Sequence, residues 1–399
     1  MKITVKYLSI ALFLSISVLC ISFGAQKAEW KGKIETEDGI KVIKNPEEPL
    51  YGEIQFELEE DLSIGNEDDE NCYFYKTIDI DVDSKGNIYV MDSANYRIQK
   101  FDKNGKYIMT FGRQGQGPGE FESTRRLQII KENQLCVLDR RRIHVFSEGG
   151  ELENSIRLEN DCSHYSFASE GSIVCKISTI ISEGINEEII LLSRDGKQLK
   201  SYITSFFPVF RKKNMSIIGS LFNPGLYFCP WSKGSAIYGH SSEYKLFFLD
   251  SSGTVVLIAE IEETPKAISQ KEKNEYYKKR YEAQKKMEPQ FPSRETLSMS
   301  EIKKAYPLPK NMPFFMRFFT DEEGNVYVFR IFKLEKIEKM ASFDFFSNEG
   351  YFLHRVKMPF LPRVIKDGYV YREKWEQERG FFRIKRFKIK NWKQIKEGI

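Results

Sequence analysis

Residues 84–111 read SKGNIYVMDSANYRIQKFDKNGKYIMTF, in which short polar turns separate runs of apolar residues. Val, Ile, Tyr and Phe dominate these runs, a composition typical of β-strands. The sequence therefore predicts strands over Ile88–Asp92, Arg97–Phe101 and Tyr107–Phe111, with one more strand before the turn at Ser84. One such four-stranded sheet cannot bury both of its faces, so further copies must pack beside it. A repeat of roughly 40–50 residues with this content is typical of a β-propeller blade.

The number of blades follows from two kinds of turn that alternate along the chain. The first turn occurs at 84–87, 131–134, 169–172, 232–235, 322–325 and 365–368. The second occurs at 104–105, 149–150, 195–196, 252–253, 349–350 and, more weakly, 390–391. Gly and Asn in these turns supply the positive φ that tight hairpins need. The sequence thus predicts an all-β fold over residues 51–399, a six-bladed β-propeller of four-stranded antiparallel blades.

The first blade resembles an NHL repeat, and the chain is similar to the secreted six-bladed propeller proteins of that group. The matching residues are Ile80, Asp83, Gly86, Asn87, Ile88, Tyr89, Val90, Asp92, Asn95, Arg97, Ile98, Phe101, Asp102 and Gly105. Blade two keeps Val137, Asp139, Arg142, Ile143 and Phe146, and later blades keep less. The resemblance implies the fold, whereas it does not imply a particular ligand.

Residues 1–24 are predicted to be a signal peptide. Lys2 and Lys6 stand beside the apolar run 7–22, and Ser22 and Gly24 are small residues of the kind that a signal peptidase reads. An uncleaved anchor helix is disfavoured because this run is short for a membrane span. Cys20 is an alternative lipid anchor, although Leu19 stands where such sites have a small residue. The protein is therefore expected to be periplasmic or extracellular, with an N-terminal extension over 25–50 and no membrane span after removal of the signal.

Charge and cysteine content narrow the function further. The formal net charge is +4, from 61 Lys and Arg against 57 Asp and Glu, and it falls to +2 without Lys2 and Lys6. This balance gives no reason to expect nucleic acid as a partner. Besides Cys20 there are five cysteines, an odd number without C-x-x-C spacing. Cys136 and Cys175 fall in apolar runs, where we expect buried thiols rather than disulfides or zinc ligands.

Two segments depart from the blade pattern. The segment 53–58 alternates charged and apolar residues before the first blade, and we predict that it closes the ring as the outermost strand of the last blade, 363–389. The segment 265–313 is predicted to be a helical insertion between blades four and five. Ser269 with Glu272, and Ser298 with Glu301, have the spacing of capping boxes. The insertion is interpreted as a surface excursion, or alternatively as a lid or partner-binding arm that Tyr277 and Tyr281 dock on the propeller.

Asp79, Asp81 and Asp83 alternate along the first strand of blade one, so their carboxylates are expected on one side. Calcium binding is one interpretation, but Ser84 and Val90 stand where an EF-hand needs Gly and Glu. An inner strand that faces water in the central channel explains the three acids more simply.

The four histidines are His144, His164, His240 and His354. Propeller lyases of similar fold hold a metal with histidines that project into the channel, and here only His164 and His240 are expected near a channel mouth. A catalytic zinc usually has three protein ligands, so no metal, cofactor or catalytic residue is assigned. Zinc or calcium belongs to the alternative that the protein is a lyase or lactonase with its site in the channel.

An Arg-rich rim is the strongest candidate for binding, because guanidinium groups match carboxylates and other anions. The candidate ligand-binding residues are Arg97, Arg125, Arg126, Arg141, His164, His240, Arg317 and Arg363. We therefore expect an exported binding or interaction module whose ligand is a glycan, a peptide or a protein. A surface protein that assembles through the helical insertion is a further hypothesis.

Overall fold

The computed structural model describes residues 29–75, 78–130, 133–168, 171–212, 215–218, 222–287, 296–330 and 340–397. The chain divides into two units, Met1–Lys31 and Gly32–Ile399. In the first unit, the described residues 29–31 have neither helix nor strand. The predicted signal peptide and Cys20 lie outside the described residues.

The second unit begins with four strands that precede the first blade. These are β1 (Lys33–Glu37), β2 (Ile40–Asn45), β3 (Glu53–Gln55) and β4 (Leu58–Ile64). Charged and apolar residues are mixed in them, as expected for strands at the exposed edge of a sheet.

Blades 1 to 3 follow as antiparallel sheets in chain order. Blade 1 contains β5 (Ile78–Val82), β6 (Ile88–Asp92), β7 (Arg97–Phe101) and β8 (Tyr107–Phe111), with a 3₁₀ turn at Ser93–Asn95. Blade 2 contains β9 (Thr124–Ile129), β10 (Leu135–Asp139), β11 (Arg142–Phe146) and β12 (Leu152–Arg157). Blade 3 contains β13 (Cys162–Phe167), β14 (Ile173–Ile180), β15 (Gly184–Leu192) and β16 (Gln198–Lys212), extended by β17 (Met215–Ile218). The three strands predicted from 84–111 are confirmed with the same bounds.

Blades 4 to 6 complete the ring. Blade 4 contains β18 (Leu226–Pro230), β19 (Ala236–His240), β20 (Lys245–Leu249) and β21 (Val255–Ile261). Blade 5 contains β22 (Arg317–Thr320), β23 (Val326–Arg330), β24 (Ala341–Phe346) and β25 (Phe352–Met358). Blade 6 contains β26 (Val364–Lys366), β27 (Tyr369–Glu376) and β28 (Phe381–Ile389). The fold is the predicted six-bladed propeller.

The N-terminal strands close the ring, but by a different strand from the one predicted. The outermost strand of blade 6 is β4, antiparallel to β28. The predicted segment 53–58 instead supplies β3, which pairs in parallel with β25 of blade 5. The prediction of 53–58 was therefore wrong in its partner, because the chain passes the edge of blade 5 before it reaches blade 6. Both edges are covered, as an open sheet edge requires.

The earliest strands cover a third blade. β2 lies parallel to β21 at the outer edge of blade 4, and β1 pairs with β2. Asn45, at the end of β2, is buried and donates its amide to the carbonyls of Glu260 and Gly350, 3.3 and 2.8 Å away. Its Oδ1 accepts the backbone N–H of Phe352. One side chain thus links the N-terminal segment to blades 4 and 5.

The described residues of the insertion form two helices, α1 (Gln270–Met287) and α2 (Met299–Ala305). Both predicted capping boxes are present, at Ser269 with Glu272 and at Ser298 with Glu301. Tyr277 and Tyr276 are buried in a cluster with Phe222, and Tyr281 packs against the cluster from its edge. Phe210 of β16 also contacts the cluster, so the insertion packs on the long outer strand of blade 3. A third helix, α3 (Trp392–Glu397), follows blade 6.

Apolar side chains fill the spaces between neighbouring blades. Between blades 2 and 3 the core contains Cys136, Cys162 and Cys175 together with Ile143, Ile173 and Ile190. Cys136 and Cys175 are buried free cysteines, which confirms their prediction as small core residues.

The turn between the first two strands has the same hydrogen bonds in blades 1 and 5. In blade 1, Asp83 Oδ1 accepts the backbone N–H groups of Lys85 and Asn87, and Oδ2 accepts the amide of Asn87 and the hydroxyl of Tyr89. Asp321 receives the corresponding bonds in blade 5 from Glu323, Asn325 and Tyr327. Gly86 and Gly324 have φ of 82° in both turns, a conformation that favours glycine. These turns fix the end of each inner strand.

Candidate functional site

The first strands of the six blades surround a central cavity of about 1550 Å³. Hydrogen bonds between β5 and β9 show that these inner strands run in the same direction. Asp79 Oδ2 accepts the backbone N–H of Leu127 at 3.2 Å, and Asp81 Oδ2 accepts that of Ile129 at 2.7 Å. We call the end where the inner strands begin the arginine end, because Arg126, Arg317 and Arg363 lie there. The opposite end, with the turns at 83–87 and 321–325, is the turn end.

The structure confirms that Asp79 and Asp81 of blade 1 face the channel, whereas Asp83 does not share their position. Asp79 and Asp81 line the cavity, but each bonds to the backbone of blade 2 and so joins two inner strands. Asp83 lies beyond the strand and is fully used in its turn. Burial, opposed by hydrogen bonds from the backbone of Ile129, raises the pKa of Asp81 to about 6. Asp79 and Asp81 are therefore channel-lining residues that also link two inner strands, and Asp83 stabilises its own turn.

Arg126 and His164 meet at the arginine end on neighbouring blades. Arg126 Nη2 lies 2.7 Å from His164 Nε2, and Arg126 Nη1 lies 3.6 Å from Asp79 Oδ1. Because a guanidinium only donates, Nε2 must carry the lone pair, which leaves the proton on Nδ1 beside Ser163 Oγ. Burial, together with the charges of Arg126, Lys176 and Arg317, lowers the pKa of His164 well below its ordinary value. His164 is therefore neutral at pH 7.

Two further cations at this end have carboxylate partners. Arg363 forms a two-pronged contact with Glu373, at 2.8 and 2.7 Å, and this bond raises the pKa of Arg363. Lys176 lies 2.8 Å from Glu187 and donates to the carbonyl of Leu226 at 2.7 Å. Lys176 is the cross-strand neighbour of His164. These ion pairs hold the positive groups around the mouth of the cavity.

Arg317 differs from the other cations because no carboxylate of the described residues lies within ion-pair distance of it. Its hydrogen bond goes to the carbonyl of Pro362 at 3.3 Å, and its guanidinium lies 5.8 Å from the ring of Phe319. Burial and repulsion from Arg363 and Arg126 lower the pKa of Arg317 to about 10. The guanidinium is charged at pH 7 and partly withdrawn from water, and the more distant carboxylates of Glu373 and Asp79 offset only part of the repulsion.

The other four predicted residues lie away from the cavity lining. Arg97 bonds to Asp92 and to the carbonyl of Tyr73, and Arg125 lies 2.5 Å from Asp161. Arg141 donates to the carbonyl of Glu159, and His240 contacts the hydroxyls of Ser205 and Ser242. The structure thus brings together Arg126, His164, Arg317 and Arg363 and leaves these four in local contacts.

Three residues that the sequence analysis did not select also line the cavity: Gln128, Tyr165 and Lys176. Lys176 is the one charged residue in the apolar run 173–177, a signal that was available in the sequence. Gln128 follows Arg126 by two positions and so projects from the same side of β9. Tyr165 had no such signal, because a tyrosine in an apolar strand reads as a core residue.

The described residues contain neither a metal-binding cluster nor a helix that could cross a membrane. No group of three or more His, Cys, Asp or Glu residues is placed there to hold a metal ion. Among the helices that the structure describes, none is long and apolar enough to cross a membrane.

A family model described as a 6-bladed beta-propeller, DUF5128, matches residues 67–347. The chain belongs to this family. The match begins just before β5 and extends through β24, so DUF5128 spans blades 1 to 4 and most of blade 5. None of the functionally curated proteins matches the sequence.

Solved structures that are similar to this chain have low sequence identity to it. A candidate exported protein from Bacteroides fragilis is 11% identical, with a TM-score of 0.49, over 84% of this chain and 95% of its own. A member of the duf4221 family from Bacteroides vulgatus is 11% identical, with a TM-score of 0.47, over 84% of this chain and 98% of its own. Virginiamycin B lyase from Staphylococcus aureus is 12% identical, with a TM-score of 0.40, over 84% of this chain and 99% of its own.

Proposed function

We propose that the protein is an exported binding module that holds an anionic ligand at the arginine end of its channel. The observation that supports this most directly is Arg317, whose charge has no carboxylate partner among the described residues. The nearby cations Arg126, Lys176 and Arg363 each have a carboxylate within 3.6, 2.8 and 2.7 Å. A ligand carboxylate beside Arg317 would supply the missing counter-charge.

The environment of Arg317 favours a strong contact with an anion. A guanidinium presents parallel N–H donors that match the two oxygens of a carboxylate, and the partial exclusion of water strengthens their attraction. Burial is the largest cause of the lowered pKa of Arg317, followed by repulsion from Arg363 and Arg126, and a bound anion would offset that repulsion. Glycans, peptides and proteins all carry such anionic groups, so each remains a ligand class for this module.

Export is proposed from the N-terminal sequence, with its basic start and apolar run at 7–22. The lipid anchor at Cys20 stays a secondary proposal. Mass spectrometry of the mature protein, purified from its native envelope or medium, would distinguish an N-terminus near residue 25 from one at a lipidated Cys20.

A metal-dependent lyase or lactonase remains the alternative, and the residues present do not fit its metal. His164 is the one histidine that lines the cavity, and its Nε2 accepts a hydrogen bond from a cation rather than facing open space. The nearby carboxylates Asp79 and Asp81 bond to the backbone of blade 2. Metal analysis of the purified protein tests this alternative, since stoichiometric zinc or calcium would favour an enzyme.

The proposed function is tested with three anionic probes at equal ionic strength: trigalacturonate, a pentapeptide with a free C-terminal carboxylate, and inorganic phosphate. We expect calorimetry to detect binding of at least one probe to the unmodified protein. Arg317→Gln should weaken that binding at least 10-fold, because a charged hydrogen bond contributes about 1.5–3 kcal/mol. Arg125→Gln, outside the cavity, is the matched control. Absence of binding for all three probes, or equal affinity in Arg317→Gln, would contradict the proposal.

A further inference from the structure

Three buried polar atoms of the cavity lining have no hydrogen-bond partner among the described residues. One, Oε2 of Glu322, lies at the turn end, on a carboxylate whose other oxygen is 3.7 Å from Lys396. The other two are Oε1 of Gln128 and the hydroxyl of Tyr165, on the adjacent inner strands β9 and β13. Tyr165 is 3% exposed. A buried polar atom without a partner destabilises the folded state, so native proteins rarely keep one unless water or a ligand satisfies it. Gln128 Oε1 needs a donor, and the Tyr165 hydroxyl can donate or accept.

These two residues extend the site inward from the arginine end. Gln128 is two residues beyond Arg126 on β9, and Tyr165 follows His164 on β13, with its ring packed in the core between blades 2 and 3. A ligand with its anionic group at the mouth would therefore place its body beside the seam between blades 2 and 3. That body must offer several hydrogen-bonding groups.

An extended peptide fits this channel poorly, because side chains already occupy backbone groups of the inner strands. Asp79 and Asp81 accept the N–H groups of Leu127 and Ile129. Lys176 and Lys366 donate to the carbonyls of Leu226 and Val82. A peptide that binds along a strand gains its affinity mainly from free main-chain groups, and these positions are used. A ligand that bonds to side chains is favoured instead.

Aromatic rings from three blades complete the lining. Phe167, Tyr227 and Phe319 each line the cavity and are only partly buried. Binding cavities commonly combine such apolar surfaces with a few placed polar groups. Sugars match this combination, since a sugar ring has an apolar face of C–H groups and a periphery of hydroxyls that both donate and accept. The volume of about 1550 Å³ exceeds the 300–1,000 Å³ typical for a drug-sized ligand, which favours an oligosaccharide.

We infer that the channel binds a carboxylate-bearing carbohydrate, a short oligosaccharide of uronic acids, with its carboxylate at Arg317 and its hydroxyls at Gln128 and Tyr165. This inference rests on the proposed function, because it assigns a ligand class to the same site. The two oxygens of the ligand carboxylate accept hydrogen bonds from the guanidinium of Arg317, beside Arg126 and Arg363. The hydroxyls supply the donor that Gln128 Oε1 lacks and the partner that the Tyr165 hydroxyl lacks.

The first test compares trigalacturonate with its methyl ester, which keeps the sugar and removes the charge. We expect calorimetry to detect trigalacturonate and the ester to bind at least 10-fold more weakly. The C-terminal pentapeptide and phosphate should bind at least 10-fold more weakly than trigalacturonate. If the pentapeptide or phosphate binds in an Arg317-dependent way and trigalacturonate does not, the carbohydrate inference fails while the anion-binding function stands. If no probe binds, both fail.

The second test uses Tyr165→Phe, which removes only the unpartnered hydroxyl. Its melting temperature should be unchanged or higher, because the lost group has no protein partner. Its affinity for trigalacturonate should fall about 5-fold or more, as one ligand hydrogen bond is lost. Gln128→Leu should act in the same direction, and Arg125→Gln should change nothing. Unchanged affinity in both Tyr165→Phe and Gln128→Leu would overturn the inference even if trigalacturonate binds.

Discussion

The two ends of the channel differ in whether their charged side chains have partners within the protein. At the turn end, Asp83 and Asp321 occupy matching positions in two blades, and the turn itself supplies donors to both oxygens of each carboxylate. At the arginine end, Arg317 of blade 5 has a single backbone acceptor among the described residues. A carboxylate whose hydrogen bonds are all made within a repeated turn indicates a structural role. A guanidinium without a carboxylate partner indicates a binding position for a group from outside the chain.

The largest expected effect comes from reversing the charge at the arginine end. Arg317→Glu should weaken binding of the anionic probe more than 100-fold, because it replaces an attraction in a partly dry site with a repulsion. The melting temperature should stay close to that of the parent protein, since Arg317 has no carboxylate partner to lose. Calorimetry and thermal unfolding on the same sample separate the two quantities. A large loss of stability with binding retained would show that Arg317 stabilises the fold and does not bind the anion.

The turn end should show the opposite result. Asp321→Ala removes the acceptor for Glu323, Asn325 and Tyr327, so we expect a loss of about 2 kcal/mol in the free energy of unfolding. Asp83→Ala is the matched change in blade 1. Denaturant unfolding measures the loss, and probe affinity should be unchanged in both variants. Weakened probe binding in a folded Asp321→Ala protein would contradict a purely structural role for the turn end.

A smaller effect should appear in the pH dependence of binding. The pKa of His164 is lowered by burial and by the charges of Arg126, Lys176 and Arg317. A bound anion offsets those charges and raises that pKa, so the complex takes up a proton that the free protein does not hold. Affinity should therefore rise a few-fold as pH falls from 8 toward 5.5 and level off below the free pKa. Calorimetry across this range should give a flat profile for His164→Gln, and an equal slope in that variant would exclude His164 as the cause.

The smallest effect is expected at Arg125, which represents the predicted residues outside the channel. Its ion pair with Asp161 is exposed, so Arg125→Gln should change the free energy of unfolding by less than about 0.5 kcal/mol. Probe affinity should not change at all. A loss of binding in this variant would move the site from the channel to the outer rim.

The strands of the blades could be predicted from the sequence because each hairpin joins residues that are close along the chain. The turns at 84–87 and 104–105 and the strands around them depend on residues a few positions apart, and they were predicted with the observed bounds. Ring closure was harder, since β4 pairs with a strand more than 300 residues away and both β3 and β4 are short strands that mix charged and apolar residues. Pattern alone does not choose between two such strands.

The site was predictable only in part, for a related reason. Arginines at the starts of inner strands meet in the ring, and Arg126, Arg317 and Arg363 were found by their place in the repeat. Arg97 and Arg125 look the same in the sequence, but Asp92 and Asp161 pair with them in space. Tyr165 and Gln128 were missed because their significance lies in missing partners, which only three-dimensional packing reveals.

The N-terminal segment has a consequence for how the protein acquires its structure. Strands β2, β3 and β4 lie on the outer edges of blades 4, 5 and 6. These strands are synthesised before the blades with which they pair, so they cannot pair until those blades have formed. Until those C-terminal sheets exist, residues 33–64 have no edge to join. Assembly therefore depends on contacts between distant parts of the chain, which slows folding and leaves bare strand edges available to other molecules. A chain that stops before blade 6 would leave β4 without its partner strand β28, and the ring would stay open.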